Sequence, residues 1–372
     1  MDFDLDGDLA AVLDLAGDIF ADLATLDRVV RVENDENGFD RTLWRTLADA
    51  GLLGVALPEA AGGAGLGMLG LAAVLEQQGR RVAPVPVWPV VTAALTIARF
   101  GTPEQVRAWL PRVLDGSAPI TSALEESTGA AGLTGTRTPT GLSLTGELLS
   151  VPAAREAAAL LVQARLDDGT TAMAIVPTGG AGLTTTGLAA TSRESRAAVR
   201  CDGVVVETAN LLPADGTEVL TWARRRARVA LSALQTGVCE EALRVTAEYT
   251  SQREQFGRPL STNQAVAVRA ADAYLDTEAI RLTTQRAAWL MDTGQEDAAE
   301  TAALVAKWWA SRAGLRVVHA TQHLHGGIGA DVDYPVHRYF LWGRQIAFSL
   351  GAADATAAAL GDRLDRAPRI GA

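Results

Sequence analysis

The stretch SQREQFGRPLSTNQ, residues 251–264, separates two long helical runs, and its reading decides the fold. Arg253 offers a planar fork of N–H donors suited to a phosphate, and Phe256 offers an apolar face to a ring. A second stretch, HGGIGADVDYPVHRYF at residues 325–340, adds Gly326, Gly327 and Gly329, where the missing Cβ lets backbone amides come close to a ligand. Taken singly, Arg253 reads equally as a surface ion-pair residue and the glycines as a helix stop. Taken together they point to one ligand that carries both phosphate and ring.

Outward from these stretches, apolar residues recur at helical spacing over residues 220–252, 262–293, 297–324 and 336–363, with Gly257, Pro259, Gly294, Gly326, Gly327 and Pro335 as breakers. Four long helices of this kind predict a bundle over residues 216–372. Upstream, residues 134–213 hold short runs rich in valine and threonine, such as LSLTGELLSV and AMAIVP, bounded by turn residues; they predict a β domain over residues 118–215. Helical spacing returns over residues 8–50, 68–78, 92–100 and 103–114, giving an all-helical domain over residues 1–117. Within it, LLGVALPEAAGGAGLG (residues 52–67) reads as a loop, and VAPVPVWPV (residues 82–90), with three prolines, is excluded from a helix interior.

Composition narrows the partners. With 33 basic against 44 acidic residues the formal charge is −11, which argues against nucleic acid and against an anionic membrane surface. Cys201 and Cys239 are too few for a disulfide framework and fit a reducing cytoplasm, where both read as packing residues. The acidic start MDFDLDGD does not suit a signal peptide, and no apolar run approaches the roughly 20 residues needed to span a bilayer. A cytoplasmic location is expected.

The order helical, β, helical, with the two motifs above at matching spacing, resembles the acyl-CoA dehydrogenase family over most of the chain. The resemblance implies an α+β fold: an N-terminal helical domain, a middle β-barrel-like domain and a C-terminal four-helix bundle. It also implies FAD as cofactor. In the family these two segments reach across a subunit interface to the ADP half of a neighbour's FAD, which assigns cofactor contacts to Arg253, Phe256, Gln264, Gly326 and Gly327. The family's glutamine before the glycine turn is represented by Gln322 or His323.

Other family parts are missing. The loop and strand that hold the flavin ring correspond to ALEESTGAAG (residues 123–132) and GELLSVPAA (residues 146–154). Ser150 stands where a tryptophan is expected, Pro152 where a threonine is, and Glu125 at a second threonine position. Proline has no N–H to donate, and a carboxylate beside a reduced flavin is repelled. Dehydrogenation at Cα and Cβ needs a carboxylate within hydrogen-bond reach of the α-proton. The two positions from which the family draws that base correspond to Leu350 and Ala227, and neither is acidic. No catalytic residue is therefore assigned, although Asp354 lies one helical turn beyond Leu350.

The four histidines, His319, His323, His325 and His337, lie in one short span, but no carboxylate or cysteine cluster near them supports a metal site. Trp308, Trp309, Tyr339, Phe340 and Trp342 read as core or interface packing. LEQQGRRVAPVPVWP (residues 75–89) and HRYFLW (residues 337–342) resemble the unlike-chain members of the family, known from actinobacterial steroid side-chain degradation. The resemblance implies an α2β2 assembly with a homologous subunit that carries the catalytic glutamate, a bulky acyl-CoA substrate, and electron-transfer flavoprotein as acceptor. Two other readings stand beside it: a homotetrameric flavoenzyme with an unorthodox base such as Asp354 or Glu125, and a non-catalytic scaffold on the same fold.

Overall fold

The computed structural model describes residues 7–125 and 132–366. The N-terminal part contains α1 (Gly7–Leu23), α2 (Leu26–Asp35), α3 (Arg41–Asp49), α4 (Gly67–Arg81), α5 (Val87–Phe100) and α6 (Pro103–Leu114). Two short 3-10 turns, Leu52–Gly54 and Glu59–Ala61, occupy the glycine-rich loop. The strands follow: β1 (Ile120–Ala123), β2 (Gly132–Thr138), β3 (Gly141–Pro152), β4 (Ala159–Leu166), β5 (Thr171–Pro177), β6 (Leu183–Leu188) and β7 (Arg196–Glu207). The remainder is α7 (Gly216–Gln252), a hairpin of β8 (Glu254–Gln255) and β9 (Arg258–Pro259), α8 (Gln264–Asp292), α9 (Glu296–Leu324), α10 (Val336–Phe348) and α11 (Ala353–Arg366). No helix among the described residues is long and apolar enough to cross a membrane.

Backbone packing divides the chain into two compact units. Of the described residues, one gathers 7–26, 68–83 and 228–366; the other holds 27–67, 84–125 and 132–227. The second is built on β1–β7, a single sheet in the order β1-β4-β2-β3-β7-β6 with β5 on β4. Residues from β5 at one end, such as Ala174 and Val176, join the same core cluster as Leu144 of β3 and Val199 and Val206 of β7. A flat sheet cannot bring its ends into one cluster, so the sheet is curled around its apolar face. Helix starts in this unit follow side-chain capping. Asp40 accepts from the backbone N–H of Thr42 and Leu43 at the start of α3, and Thr102 with Gln105 forms a capping box at α6.

The first unit is helical. Helices α4 and α7 cross at a pair of glycines: a Cβ on Gly237 would lie 1.9 Å from the Glu76 carbonyl oxygen, and one on Gly79 would lie 2.2 Å from that of Leu234. Only backbone fits at this crossing. Two departures from the expected elements have clear causes. The first is α5, which begins at Val87 inside the proline-rich segment; Pro89 sits in its first turn, where an N–H has no helical acceptor to lose. The other is the last periodic run, which forms two helices rather than one. Leu350 adopts φ +55° and Gly351 φ +104°, turning the chain between α10 and α11.

Lys307 of α9, fully buried, holds that turn. Its ammonium donates to Ser311 Oγ at 2.5 Å and to the carbonyls of Ile346, Ala347 and Gly351 at 3.2, 3.4 and 3.0 Å. These include carbonyls at the C-terminal end of α10, where a cation is favoured by the helix dipole and satisfies acceptors left without helical donors.

Candidate functional site

The two motif segments come together through Tyr249, one turn before the end of α7. Its ring stacks on the His325 ring at 4.4 Å between centroids, and its hydroxyl donates to the His325 carbonyl at 3.4 Å. Tyr334 closes the aromatic group, 5.3 Å from His325. His325 is buried, its Nδ1–H directed at the Thr321 carbonyl at 2.9 Å, and burial holds its imidazole below the usual range, so it is neutral at physiological pH. Sequence reading had no access to this group, because Tyr249 and His325 lie 76 positions apart and meet only by packing.

From this base the β8–β9 hairpin projects. Phe256 and Gly257 form its two-residue turn with φ +54° and +75°, the signature of a type I′ turn, which favours Asn-Gly. A phenylalanine in that conformation is strained, and the residue is 98% exposed. Arg253 is exposed at the foot of the hairpin, where its carbonyl accepts from the Leu260 N–H at 2.9 Å. Gln264, also exposed, is the first residue of α8, whose N-cap Asn263 accepts from the Ala265 N–H.

The glycine turn forms a 3-10 segment, Gly326–Ala330. Gly326 needs its φ of +65°, and Gly329 is pressed against the Gln322 backbone carbonyl. Gly327 has neither constraint, since a Cβ there would meet nothing within 4 Å. The fold itself does not require glycine at this position, which fits a surface that an outside group approaches closely. Gln322 is committed inward, its side-chain amide donating to the Gly329 carbonyl at 3.0 Å, while His323 is exposed. Arg253, Phe256, Gln264, His323 and the Gly326–Gly327 turn thus present donors and one apolar ring outward, a set suited to a phosphate-bearing cofactor.

The remaining positions behave differently. Leu350 is buried in the turn between α10 and α11, Ala227 is fully buried in α7, and Asp354 is exposed in the first turn of α11. Ser150 lies at a register shift of β3, and Pro152 faces Arg196 across the β3–β7 ladder. Residues 126–131, the remainder of the loop that begins at Ala123, lie outside the described residues. The histidines do not converge: His325 turns to Thr321, His319 packs against Phe340, and His323 faces solvent. Among the described residues no group of three His, Cys, Asp or Glu side chains is arranged to hold a metal ion. Burial pushes the thiols of Cys201 and Cys239 up to about 11 and about 12, so neither is a ready nucleophile. A groove of about 1240 Å³ runs between α8 and α9 from Gln264, lined by Val268, Leu275, Arg312, Leu315 and His319.

Comparison with known proteins agrees with this geometry. Residues 16–117 match the acyl-CoA dehydrogenase N-terminal domain and residues 214–364 the acyl-CoA dehydrogenase C-terminal domain. The chain is 39% identical over 340 residues to acyl-CoA dehydrogenase FadE27 of Mycobacterium tuberculosis, covering 90% of each protein. It superposes on the ChsE4-ChsE5 complex from Mycobacterium tuberculosis with a TM-score of 0.94 at 38% identity, covering 99% of this chain and 100% of the other. On a variant of the Tcur3481-Tcur3483 steroid ACAD the TM-score is 0.90 at 49% identity, covering 96% and 98%. With the curled sheet between helical segments, the outward Arg-x-x-Phe-Gly hairpin and the Gly-Gly turn all in place, the chain belongs to the acyl-CoA dehydrogenase family, whose cofactor is FAD.

Proposed function

We propose that this chain is the non-basic subunit of a heteromeric acyl-CoA dehydrogenase. Arg253, Phe256, Gln264, Gln322, His323 and the Gly326–Gly327 turn serve the ADP half of a flavin whose ring lies on a homologous partner subunit. Arg253 holds phosphate, Phe256 covers a ring, Gln322 shapes the glycine turn, and that turn supplies backbone amides. The partner supplies the glutamate that removes the α-proton of the acyl-CoA. FAD, when bound, accepts the hydride from Cβ. The assembly is α2β2, the substrate a bulky acyl-CoA of steroid type, and the electron acceptor an electron-transfer flavoprotein.

The observation that carries this reading is the contrast between the two halves of the site. The lending half projects from the surface, with a strained and fully exposed phenylalanine at its tip, whereas the position of the base holds Leu350, buried and apolar. Similarity to heteromeric complexes, one of them a steroid ACAD, supports the assembly and the substrate class. The test is co-expression with a glutamate-bearing homologue, followed by an FAD titration of the purified complex. Replacing Arg253 with Ala removes a charge-assisted contact of about 1.5–3 kcal/mol, so FAD affinity should fall roughly tenfold to a hundredfold. An unchanged affinity would refute the role of the hairpin.

A further inference from the structure

We propose that the outer edge of β6 is a docking site for an extended, acidic segment of a partner protein, which adds to the sheet as a further strand and places a carboxylate on Arg155. The site lies wholly within the sheet unit and stands independently of the flavin reading above.

Among the described residues β6 is an end strand that pairs only with β7. Its register, with the bond from the Asp202 N–H to the Gly182 carbonyl at 2.9 Å, fixes which backbone groups the ladder uses. The pairs that follow at intervals of two, Thr184–Arg200 and Thr186–Ala198, commit their N–H and C=O groups to the ladder. Thr185 and Gly187 therefore turn theirs outward. The other ends of the sheet are closed: β1 is buried throughout, and β5 is bridged to Leu211 at Ala174.

Natural edge strands are guarded by a charge, a proline or a bulge. β6 has none of these. Residues 179–191, GGAGLTTTGLAAT, hold no charged residue and no proline, and the ladder with β7 runs without a register shift. Thr184, Thr186, Gly187 and Leu188 are exposed, and the run of threonines favours extended pairing. Such an edge suits strand addition, in which main-chain bonds supply affinity and flanking side chains choose the partner.

The flanking side chain is Arg155. Its guanidinium lies against Gly187, where an added Cβ would be 3.0 Å from Nη1, so the glycine gives the cation room at the edge. Arg155 is exposed, and the carboxylate of the neighbouring Glu156 is engaged by the Ser195 hydroxyl at 2.6 Å. A carboxylate carried on an added strand would meet the arginine fork in a charge-assisted pair. β6 itself holds no acid, so a second copy of this chain pairing edge to edge would bring Arg155 no carboxylate; the occupant is a different, acidic segment.

The probe is a panel of labelled synthetic heptapeptides of alternating valine and threonine, with one aspartate at each position in turn and an asparagine counterpart of each. They are titrated against the full chain by fluorescence anisotropy, while amide exchange of residues 183–188 is followed by mass spectrometry. At least one aspartate peptide should bind about tenfold more tightly than its asparagine counterpart and slow exchange over residues 183–188. Thr185→Pro removes an outward N–H and leaves the β7 ladder intact, so it should abolish binding. Arg155→Glu should erase the preference for aspartate. Equal binding of aspartate and asparagine peptides, binding that survives Thr185→Pro, or no binding by any peptide overturns the proposal. If Thr185→Pro fails to fold, Arg155→Glu, a change at an exposed side chain, decides. Self-association in sedimentation that Arg155→Glu leaves unchanged, with residues 183–188 protected in the absence of peptide, would assign the edge to a second copy and equally overturn it.

Discussion

Phe256 occupies a turn position built for asparagine or glycine, with its ring almost wholly in solvent. Left-handed backbone costs an ordinary residue about 1–2 kcal/mol. Phe256→Asn creates the favoured Asn-Gly turn, so it should stabilise the hairpin of the isolated chain by about 1 kcal/mol, read as slower amide exchange in β8 and β9. The same change should loosen FAD in the mixed complex; a variant that improves both would show that the ring serves no ligand. Glu76 carries strain of another kind. Burial pushes its carboxyl up to about 7, although Arg281 lies 3.5 Å away. An unfolded glutamate titrates near about 4.3, so between these values the native state keeps a proton that the unfolded chain has released. Stability therefore falls as pH rises through that window, by about 3–4 kcal/mol in all. Glu76→Gln should flatten this part of the stability–pH curve, measured by denaturant unfolding from about pH 4.5 to 7.5.

Elements inherit such local constraints. At the α4–α7 crossing, Gly237→Ala would place a methyl against a backbone carbonyl that cannot rotate away, and it should destabilise the chain by about 2 kcal/mol or more in denaturant unfolding. Leu350→Glu places a carboxylate in the buried turn between α10 and α11, with an expected loss of about 2 kcal/mol or more. On the function proposed above, the variant alone should give no acyl-CoA-dependent reduction of an artificial electron acceptor, because that reading leaves the flavin ring to a partner subunit. Robust turnover without a partner would mean that one substitution separates this chain from an ordinary dehydrogenase. The helices were legible from apolar spacing, and the breaks between them from Gly257, Pro259, Gly294 and Gly326. The break at Leu350 was not, because Leu350 keeps the periodic phase and the turn is held by Lys307, more than 40 residues away. Nor was the pairing of Pro152 with Arg196, since a register shift in β3 decides which residues face each other.

At the scale of the whole molecule, α8 exposes Val268, Leu275 and Leu282, 53%, 66% and 44% accessible, at intervals of seven residues. Such a stripe is the seam of a helix that expects another helix, and it borders the groove that begins at Gln264. Leu275→Glu should therefore lower the mass of the mixed assembly in sedimentation; an unchanged mass would remove this face from the interface. The chain's basic residues are arginine except for Lys307, and that lysine is buried in full beneath the α10–α11 turn. A lysine-specific protease consequently finds no site on the folded chain and a single one when it opens, yielding residues 1–307 and 308–372. The rate of that one cut is a direct clock for the release of α9 from the C-terminal turn, and amine-reactive cross-linkers will find no accessible lysine on this folded subunit inside any complex it joins.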